Sequence, residues 1–171
     1  MFTVKVGNLF ENVEHGFIMH GCNAQGVMGS GVAKIIRDKY PLAYQKYAEQ
    51  APNYILGEVI PVIVEPNLVI VNAITQEFYG TDRVHADYDA IEQACRGVKH
   101  LANSGIIESK DISFPFIGGG LAGGDQVKIL NIFEQQFAPL GSHEISAARP
   151  PFVVENPEDN DATLWVLEKP L

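Results

Sequence analysis

Two glycine-rich segments contain the residue types that could hold an anion. The first glycine segment is residues 21–31 (GCNAQGVMGSG), and the second glycine segment is residues 118–124 (GGGLAGG). Each joins a predicted strand to a predicted helix. Glycine lets a ligand approach the backbone closely, and successive N–H groups at a helix N-terminus bind anions. Two such segments in one short chain predict two anion subsites, which is what a diphosphate requires.

Neither segment matches the common nucleotide-binding motifs. A Walker loop requires lysine and then Ser or Thr directly after its last glycine, but Val32 and Ala33 follow Gly31. A dinucleotide-binding GxGxxG motif beginning at Gly29 would need a third glycine where Lys34 stands. The sequence therefore predicts a diphosphate held by backbone N–H groups, with no phosphoryl transfer from ATP and no cofactor.

Two side chains beside these segments are candidates for acid–base chemistry. Asp125 directly follows the second segment, where it could orient a water molecule or simply cap the helix that begins there. His20 directly precedes the first segment, and it could act as a general acid or base or be a buried histidine that holds a neighbouring carbonyl. No metal site is predicted, because Cys22 and Cys95 are too few for a tetrahedral zinc site.

The elements that must position these residues alternate between strands and helices. Apolar runs and alternating patterns predict strands, and apolar residues at three- and four-residue steps predict helices. The predicted strands are residues 2–6, 17–19, 59–64, 68–73, 112–117, 152–155 and 163–167, and the predicted helices are residues 30–40, 87–103 and 125–137. This alternation predicts an α/β fold with helices on both faces of the sheet.

Three local signals refine this arrangement. Residues 65–67 form a turn, so the strands on either side of them should pair antiparallel. Pro115 lies within the predicted strand of residues 112–117, which indicates a sheet edge, a strand end or a bulge. Residues 147–161 are rich in proline and acidic side chains, and we expect a surface excursion there before the last strand. The whole chain, residues 1–171, is predicted to be a single domain.

The overall composition excludes several classes of protein and partner. The chain has 12 Lys and Arg against 21 Asp and Glu, a net charge of −9, whereas proteins that coat nucleic acids rely on basic side chains. The apolar fraction of 46% excludes intrinsic disorder. No segment has the length of a membrane span or the pattern of a signal peptide, so we expect a soluble cytoplasmic protein without a membrane partner.

Three blocks of sequence together resemble the macro domain, a family that binds ADP-ribose. They are residues 6–10 (VGNLF), 21–33 (GCNAQGVMGSGVA) and 114–125 (FPFIGGGLAGGD), and they have the family's order and spacing within residues 2–146. They most resemble the microbial and yeast-like branch that processes ADP-ribose 1''-phosphate. The resemblance implies a three-layer α/β/α fold with a central mixed β-sheet, and ADP-ribose or a derivative of it as the ligand.

The resemblance also assigns roles to individual residues. Asn8 stands where the family usually has an aspartate that binds the adenine amino group, and Asn23 matches an asparagine that faces the distal ribose. We therefore count Asn23, with His20 and Asp125, as a candidate catalytic residue. The other residues of the implied site lie beside Asn8 or in the loops around the diphosphate and distal ribose: Leu9, Gly29, Ser30, Gly31, Val32, Gly118, Gly119, Gly120, Leu121 and Ala122.

Two positions depart from related macro domains that remove ADP-ribose from modified substrates. Gln76 stands where those domains have a lysine, and Ala122 stands where one group of them has an aspartate. Glutamine cannot form a covalent lysyl adduct, so that mechanism is not predicted. The predicted function is hydrolysis of an ADP-ribose derivative, foremost ADP-ribose 1''-phosphate. The alternatives are a non-catalytic ADP-ribose reader and a hydrolase of ADP-ribosylated protein or nucleic acid.

Charge and segment geometry lead to two further expectations. The acidity of the chain predicts that long polyanions bind worse than free ADP-ribose. The substitution Gly119→Glu is predicted to abolish binding through a clash and charge repulsion, without necessarily unfolding the protein.

Overall fold

The computed structural model describes residues 2–137, 152–154 and 161–167, and for residues 152–154 only the backbone. Within this part of the chain, seven strands form one sheet and five helices flank it. The strands are β1 (Phe2–Val6), β2 (Gly16–Asn23), β3 (Val59–Glu65), β4 (Leu68–Gln76), β5 (Ile112–Phe114), β6 (Phe152–Val154) and β7 (Ala162–Val166). The helices are α1 (Leu9–Asn12), α2 (Gly31–Lys39), α3 (Pro41–Glu49), α4 (Tyr88–Asn103) and α5 (Gln126–Phe137).

The centre of the sheet is parallel and its margins are antiparallel. The strand order is β3-β4-β2-β5-β7-β1-β6, and the antiparallel pairs are β3 with β4 and β1 with β6. The predicted mixed sheet is confirmed, and so is the antiparallel pairing across residues 65–67. Because parallel strands end at the same edge of a sheet, the segments that follow β2, β4 and β5 lie close together.

Helices cover both faces of the sheet, as the alternation of elements predicts. Ile91 of α4 and Phe133 of α5 are buried on one face, in the same cluster as Phe17 of β2. Ile36 of α2 is buried on the other face, in the same cluster as Ile18 of β2. Successive residues of a strand point to opposite faces, so β2 contributes to both clusters. The three-layer α/β/α architecture is therefore confirmed.

β2 is longer than the sequence predicts. Its pairing with β4 continues beyond residue 19 through His20 and Cys22 to Asn23. His20 interrupts the apolar run, which is why the pattern predicts an early end. The strand nevertheless continues because the ring of His20 is buried and bonded to the side chain of Asn72 on β4.

β5 is shorter than predicted and lies inside the sheet. It ends at Phe114, directly before Pro115, and it pairs with β2 on one side and β7 on the other. Proline has no N–H to donate to a neighbouring strand, so it marks a strand end here rather than a sheet edge. The short helix α1 is not predicted, because four residues are too few to show helical periodicity.

The C-terminal predictions are only partly covered by the described residues. β6 and residue 161 lie within the predicted excursion of residues 147–161, and the rest of that excursion lies outside the described part of the chain. Residue 155, the predicted end of a strand, also lies outside it. Among the described helices, none combines the length and apolar character that crossing a membrane requires.

Candidate functional site

The two glycine segments face each other at one edge of the sheet. β2 ends at Asn23 within the first segment, and its parallel neighbour β5 ends at Phe114, shortly before the second. The segments lie against each other at Gly31 and Leu121, where a Cβ on Gly31 would lie 3.2 Å from Leu121 Cδ1. We refer to the region between the two glycine segments as the cleft.

The N-terminus of α2 has unpaired N–H groups on the first side of the cleft. Ser30 occupies the N-cap position, but its side chain makes no capping hydrogen bond. The first N–H bonded within the helix is that of Lys34, which donates to Ser30 O at 3.3 Å. The N–H groups of Gly31, Val32 and Ala33 therefore have no acceptor in the helix, and no acidic residue lies in its first turn. Such a helix end attracts an anion.

The second segment is closed into a tight loop by its own backbone. Gly124 donates to Gly118 O at 2.7 Å, and Gly123 donates to Gly120 O at 3.0 Å. Gly118 and Gly123 have φ values of +78° and +71°, in the left-handed region that favours glycine. A Cβ on Gly124 would lie 2.6 Å from the Gly118 carbonyl oxygen, so the loop has no room for a side chain at its base.

The tip of this loop provides the N–H groups on the second side of the cleft. Within the described part of the chain, the N–H groups of Gly120, Leu121 and Ala122 donate to no acceptor. The N–H of Gly119 is used internally, because it donates to Phe116 O at 3.0 Å. Of the predicted ligand residues in this segment, Gly119 thus offers a ligand no free N–H.

The segment that leads into α4 is hydrogen-bonded to the second glycine segment. His85 donates its backbone N–H to Ala122 O at 2.8 Å. The His85 ring is almost buried, with 4% of its side chain exposed, and its Nε2 lies 2.8 Å from Asp82 Oδ1. Proximity to His85 lowers the pKa of the Asp82 carboxyl. The sequence does not indicate this support, because it joins residues far apart in the chain.

The side chain of Asn23 makes three hydrogen bonds within the first glycine segment. Its Oδ1 accepts from the N–H groups of Gln25 at 3.0 Å and Val27 at 3.3 Å, and its Nδ2 donates to Val27 O at 2.7 Å. The residue is 7% exposed. These bonds leave one Nδ2 hydrogen for a ligand. The described contacts thus give Asn23 a role in shaping the turn, beside the ribose contact that the resemblance implies.

His20 lies in the core and not at the surface of the cleft. It has no exposed surface, and its Nε2 lies 2.6 Å from Asn72 Oδ1. Because a carbonyl oxygen can only accept, Nε2 carries the proton. Burial lowers the pKa of His20 from 6.5 to about 4, although the bond with Asn72 opposes the shift. This placement corrects the catalytic expectation in favour of the stated alternative, a buried histidine that holds a neighbouring carbonyl.

Asp125 caps α5. Its Oδ1 accepts from the N–H groups of Val127 at 2.9 Å and Lys128 at 3.2 Å. Its own N–H donates to the hydroxyl oxygen of Tyr88 at 3.0 Å. Asp125 is exposed, and Oδ2 has no partner among the described residues. The capping alternative is therefore present in the structure, and Oδ2 remains available to bind water.

Asn8 is half-buried and caps α1, and its side-chain Nδ2 has no partner among the described residues. Its Oδ1 accepts from Phe10 N–H at 2.9 Å, and its backbone carbonyl accepts from Asn12 Nδ2 at 2.6 Å. The Phe10 bond fixes the orientation of the amide, so Nδ2 is the free end. The neighbouring Leu9 is 4% exposed and can offer a ligand only its backbone. An aspartate at position 8 would have a second acceptor where Asn8 has a donor.

Gln76 lies at the end of β4, paired with Asn23 of β2. Its Nε2 donates to Phe78 O at 2.7 Å. The amide is therefore used locally, and it is not a nucleophile. Among the described residues, no cluster of three or more His, Cys, Asp or Glu side chains has the arrangement of a metal site.

The chain has sequence relatives among fungal proteins. A Neosartorya fischeri protein named ADP-ribose 1''-phosphate phosphatase is 40% identical over 47 residues, covering 28% of this chain and 24% of that protein. A Candida albicans protein of the same name is 28% identical over 112 residues, covering 62% of this chain and 72% of that protein. The match to the first relative thus spans about a quarter of its length. No family model matches the chain.

Solved structures resemble the chain over nearly its full length. The macrodomain of Mycobacterium tuberculosis DarG has a TM-score of 0.69 at 18% identity, covering 96% of this chain and 97% of that one. Thermosipho africanus DarTG, solved in complex with ADP-ribose, has a TM-score of 0.67 at 16% identity, covering 98% of this chain and 43% of that one. At these identities the likeness establishes the fold. With its mixed sheet and two helical layers, this protein has the macrodomain fold.

Proposed function

We propose that this protein binds ADP-ribose between the two glycine segments and hydrolyses ADP-ribose 1''-phosphate to ADP-ribose and phosphate. The observation that carries the proposal is the pair of unpaired N–H sets, one at the start of α2 and one at residues 120–122, on opposite sides of one cleft. A diphosphate presents oxygens on two phosphorus atoms, and these sets offer donors to both. The names of the fungal relatives support the choice of substrate.

The reaction adds one water molecule across the ester that joins the phosphate to the distal ribose. We assign the orientation of this water to Asp125 Oδ2, which is exposed and has no partner among the described residues. The remaining Nδ2 hydrogen of Asn23 would hold the distal ribose, and the backbone N–H groups would hold the diphosphate. Catalysis would then come from positioning and fixed dipoles, without a metal ion.

Two measurements test the proposal in sequence. Calorimetric titration with ADP-ribose should give a one-to-one complex, and no heat at millimolar ligand would refute the binding site. Phosphate release from ADP-ribose 1''-phosphate should then be catalytic and unchanged by a chelator. Loss of turnover on adding EDTA would refute the metal-independent assignment.

A non-catalytic ADP-ribose reader is the second candidate, and two placements favour it. His20 is buried, and one oxygen of Asp125 is already used to cap α5. Few acid–base groups therefore lie at the cleft. Tight binding of ADP-ribose without phosphate release above background would establish this candidate. Removal of ADP-ribose from protein or nucleic acid is the third candidate, and Gln76 in place of lysine argues against its covalent form.

A further inference from the structure

A buried tyrosine lies behind the first glycine segment and contacts it through its hydroxyl group. Tyr47 lies on α3 and has no exposed surface. Its hydroxyl donates to Asn23 O at 2.6 Å and also lies 2.8 Å from Asn23 Oδ1. Asn23 Oδ1 also accepts from the N–H groups of Gln25 and Val27. The phenol oxygen thus contacts the end of β2 directly and the turn that follows it through Asn23.

This hydroxyl remains a donor and is held rigidly. Burial raises the pKa of Tyr47, so the hydroxyl keeps its proton at neutral pH. One helical turn earlier, Ala43 O accepts from Asn72 Nδ2 at 3.1 Å, which joins α3 to β4. Tyr54 donates to Tyr47 O at 2.8 Å, and the two rings pack with their centroids 5.1 Å apart. The position of the phenol is therefore fixed by the sheet and by its neighbours.

We propose that Tyr47 is a positioning residue for the ligand site, which acts through Asn23 to hold the first glycine segment in its binding conformation. The inference rests on the proposed function, because it assumes that the N–H groups at the start of α2 bind the ligand. Asn23 transmits the effect, since its amide is bonded to Gln25 and Val27 within the turn. Without the hydroxyl, Asn23 O loses this buried donor, and the turn must be ordered when the ligand binds.

The test compares Tyr47→Phe with Tyr54→Phe. Each variant loses one hydroxyl from the same aromatic pair and one hydrogen bond at α3, but the Tyr54 hydroxyl bonds to the α3 backbone and not to Asn23. Both should lower Tm by a few degrees, and Tyr47→Phe by more, because its hydroxyl bond is buried whereas that of Tyr54 is only partly buried. ADP-ribose affinity, steady-state kinetics and amide hydrogen exchange of the ligand-free protein would be measured for both.

We expect only Tyr47→Phe to weaken ADP-ribose binding, by roughly threefold to tenfold, as for one hydrogen bond. KM should rise with little change in kcat, because the segment holds the diphosphate in ground and transition states alike. Amides of residues 24–29 should exchange faster, while those of residues 118–124 should not change. Equal losses of affinity in both variants, unchanged binding by Tyr47→Phe, or uniformly faster exchange would each overturn the inference.

The exchange measurement separates this inference from the proposed function. If the wild-type protein binds no ADP-ribose, the proposed function fails. Even in that case, faster exchange confined to residues 24–29 in Tyr47→Phe would support the positioning role of Tyr47. Unchanged exchange at these residues would refute that role.

Discussion

Gly120 is the position at which a charge can be added to the cleft without disturbing the fold. A Cβ on Gly120 would have no heavy atom within 4 Å, and the residue is exposed. The neighbouring position differs, because a Cβ on Gly119 would lie 2.6 Å from the Phe116 ring. The clash expected for Gly119→Glu is thus with the Phe116 ring, so Gly120 is the better position for adding a charge alone. We expect that Gly120→Glu weakens ADP-ribose binding and leaves the fold intact.

The size of the effect follows from the charge of the ligand. A carboxylate about 6 Å from a diphosphate of charge −2 costs about 1.4 kcal/mol at the dielectric constant of water and about 5.5 kcal/mol at an effective value of 20. A cost of about 3 kcal/mol lies between these limits and corresponds to a roughly hundredfold loss of affinity.

Isothermal titration calorimetry with ADP-ribose at physiological ionic strength measures this loss. Gly120→Gln is the matched control, because it adds a side chain of the same size without the charge. The difference between the two variants should shrink at high salt, since salt screens exposed charges. Thermal unfolding should show both variants folded like the wild type. Wild-type affinity in Gly120→Glu, or equal losses in both variants, would show that no diphosphate lies beside residues 120–122.

Substitutions at three further positions test individual side chains. Asn8→Asp should bind ADP-ribose roughly threefold to tenfold more tightly, because one carboxylate oxygen can cap α1 while the other accepts from the adenine amino group; unchanged affinity in calorimetry would contradict this. Asp125→Ala should lower the free energy of unfolding by about 1 kcal/mol and abolish phosphate release, while Asp125→Ser should restore the cap but not the activity. Because burial lowers the pKa of His20 from 6.5 to about 4, the unfolded state binds more protons between these values, and stability falls as the pH falls. Urea unfolding at several pH values should show that the free energy of unfolding falls with pH by up to about 3 kcal/mol more in the wild type than in His20→Gln. Parallel pH profiles of the two proteins would contradict the lowered pKa of His20.

Local patterns predict the elements and the glycine segments, because both depend on neighbouring residues. The predicted helices of residues 87–103 and 125–137 begin one residue early, since Asp87 and Asp125 are N-caps rather than helical residues. Asp at the start of an apolar stretch is itself the signal for such a cap. Local pattern does not predict the order of the strands, nor that the two glycine segments face each other.

The polar network behind the first segment is the part of the site that the sequence does not predict. His20, Asn72 and Ala43 belong to β2, β4 and α3, and only the folded sheet brings them together. Nothing in the local pattern around Tyr47 indicates the hydrogen bond from its hydroxyl to Asn23. Asn72 is the one available signal, because it is a polar residue inside the otherwise apolar run of β4.

The proposed diphosphate donors on both sides of the cleft are main-chain N–H groups, and this has a consequence for robustness. Such groups have no titratable proton in the physiological range and are present in every residue except proline. A cleft of this kind keeps its donors across pH values at which histidine or lysine would lose charge, and acetylation of lysines leaves them intact. Side chains at residues 29–33 and 120–122 can therefore vary in chemistry, within the limits of shape and backbone conformation, without removing a single donor.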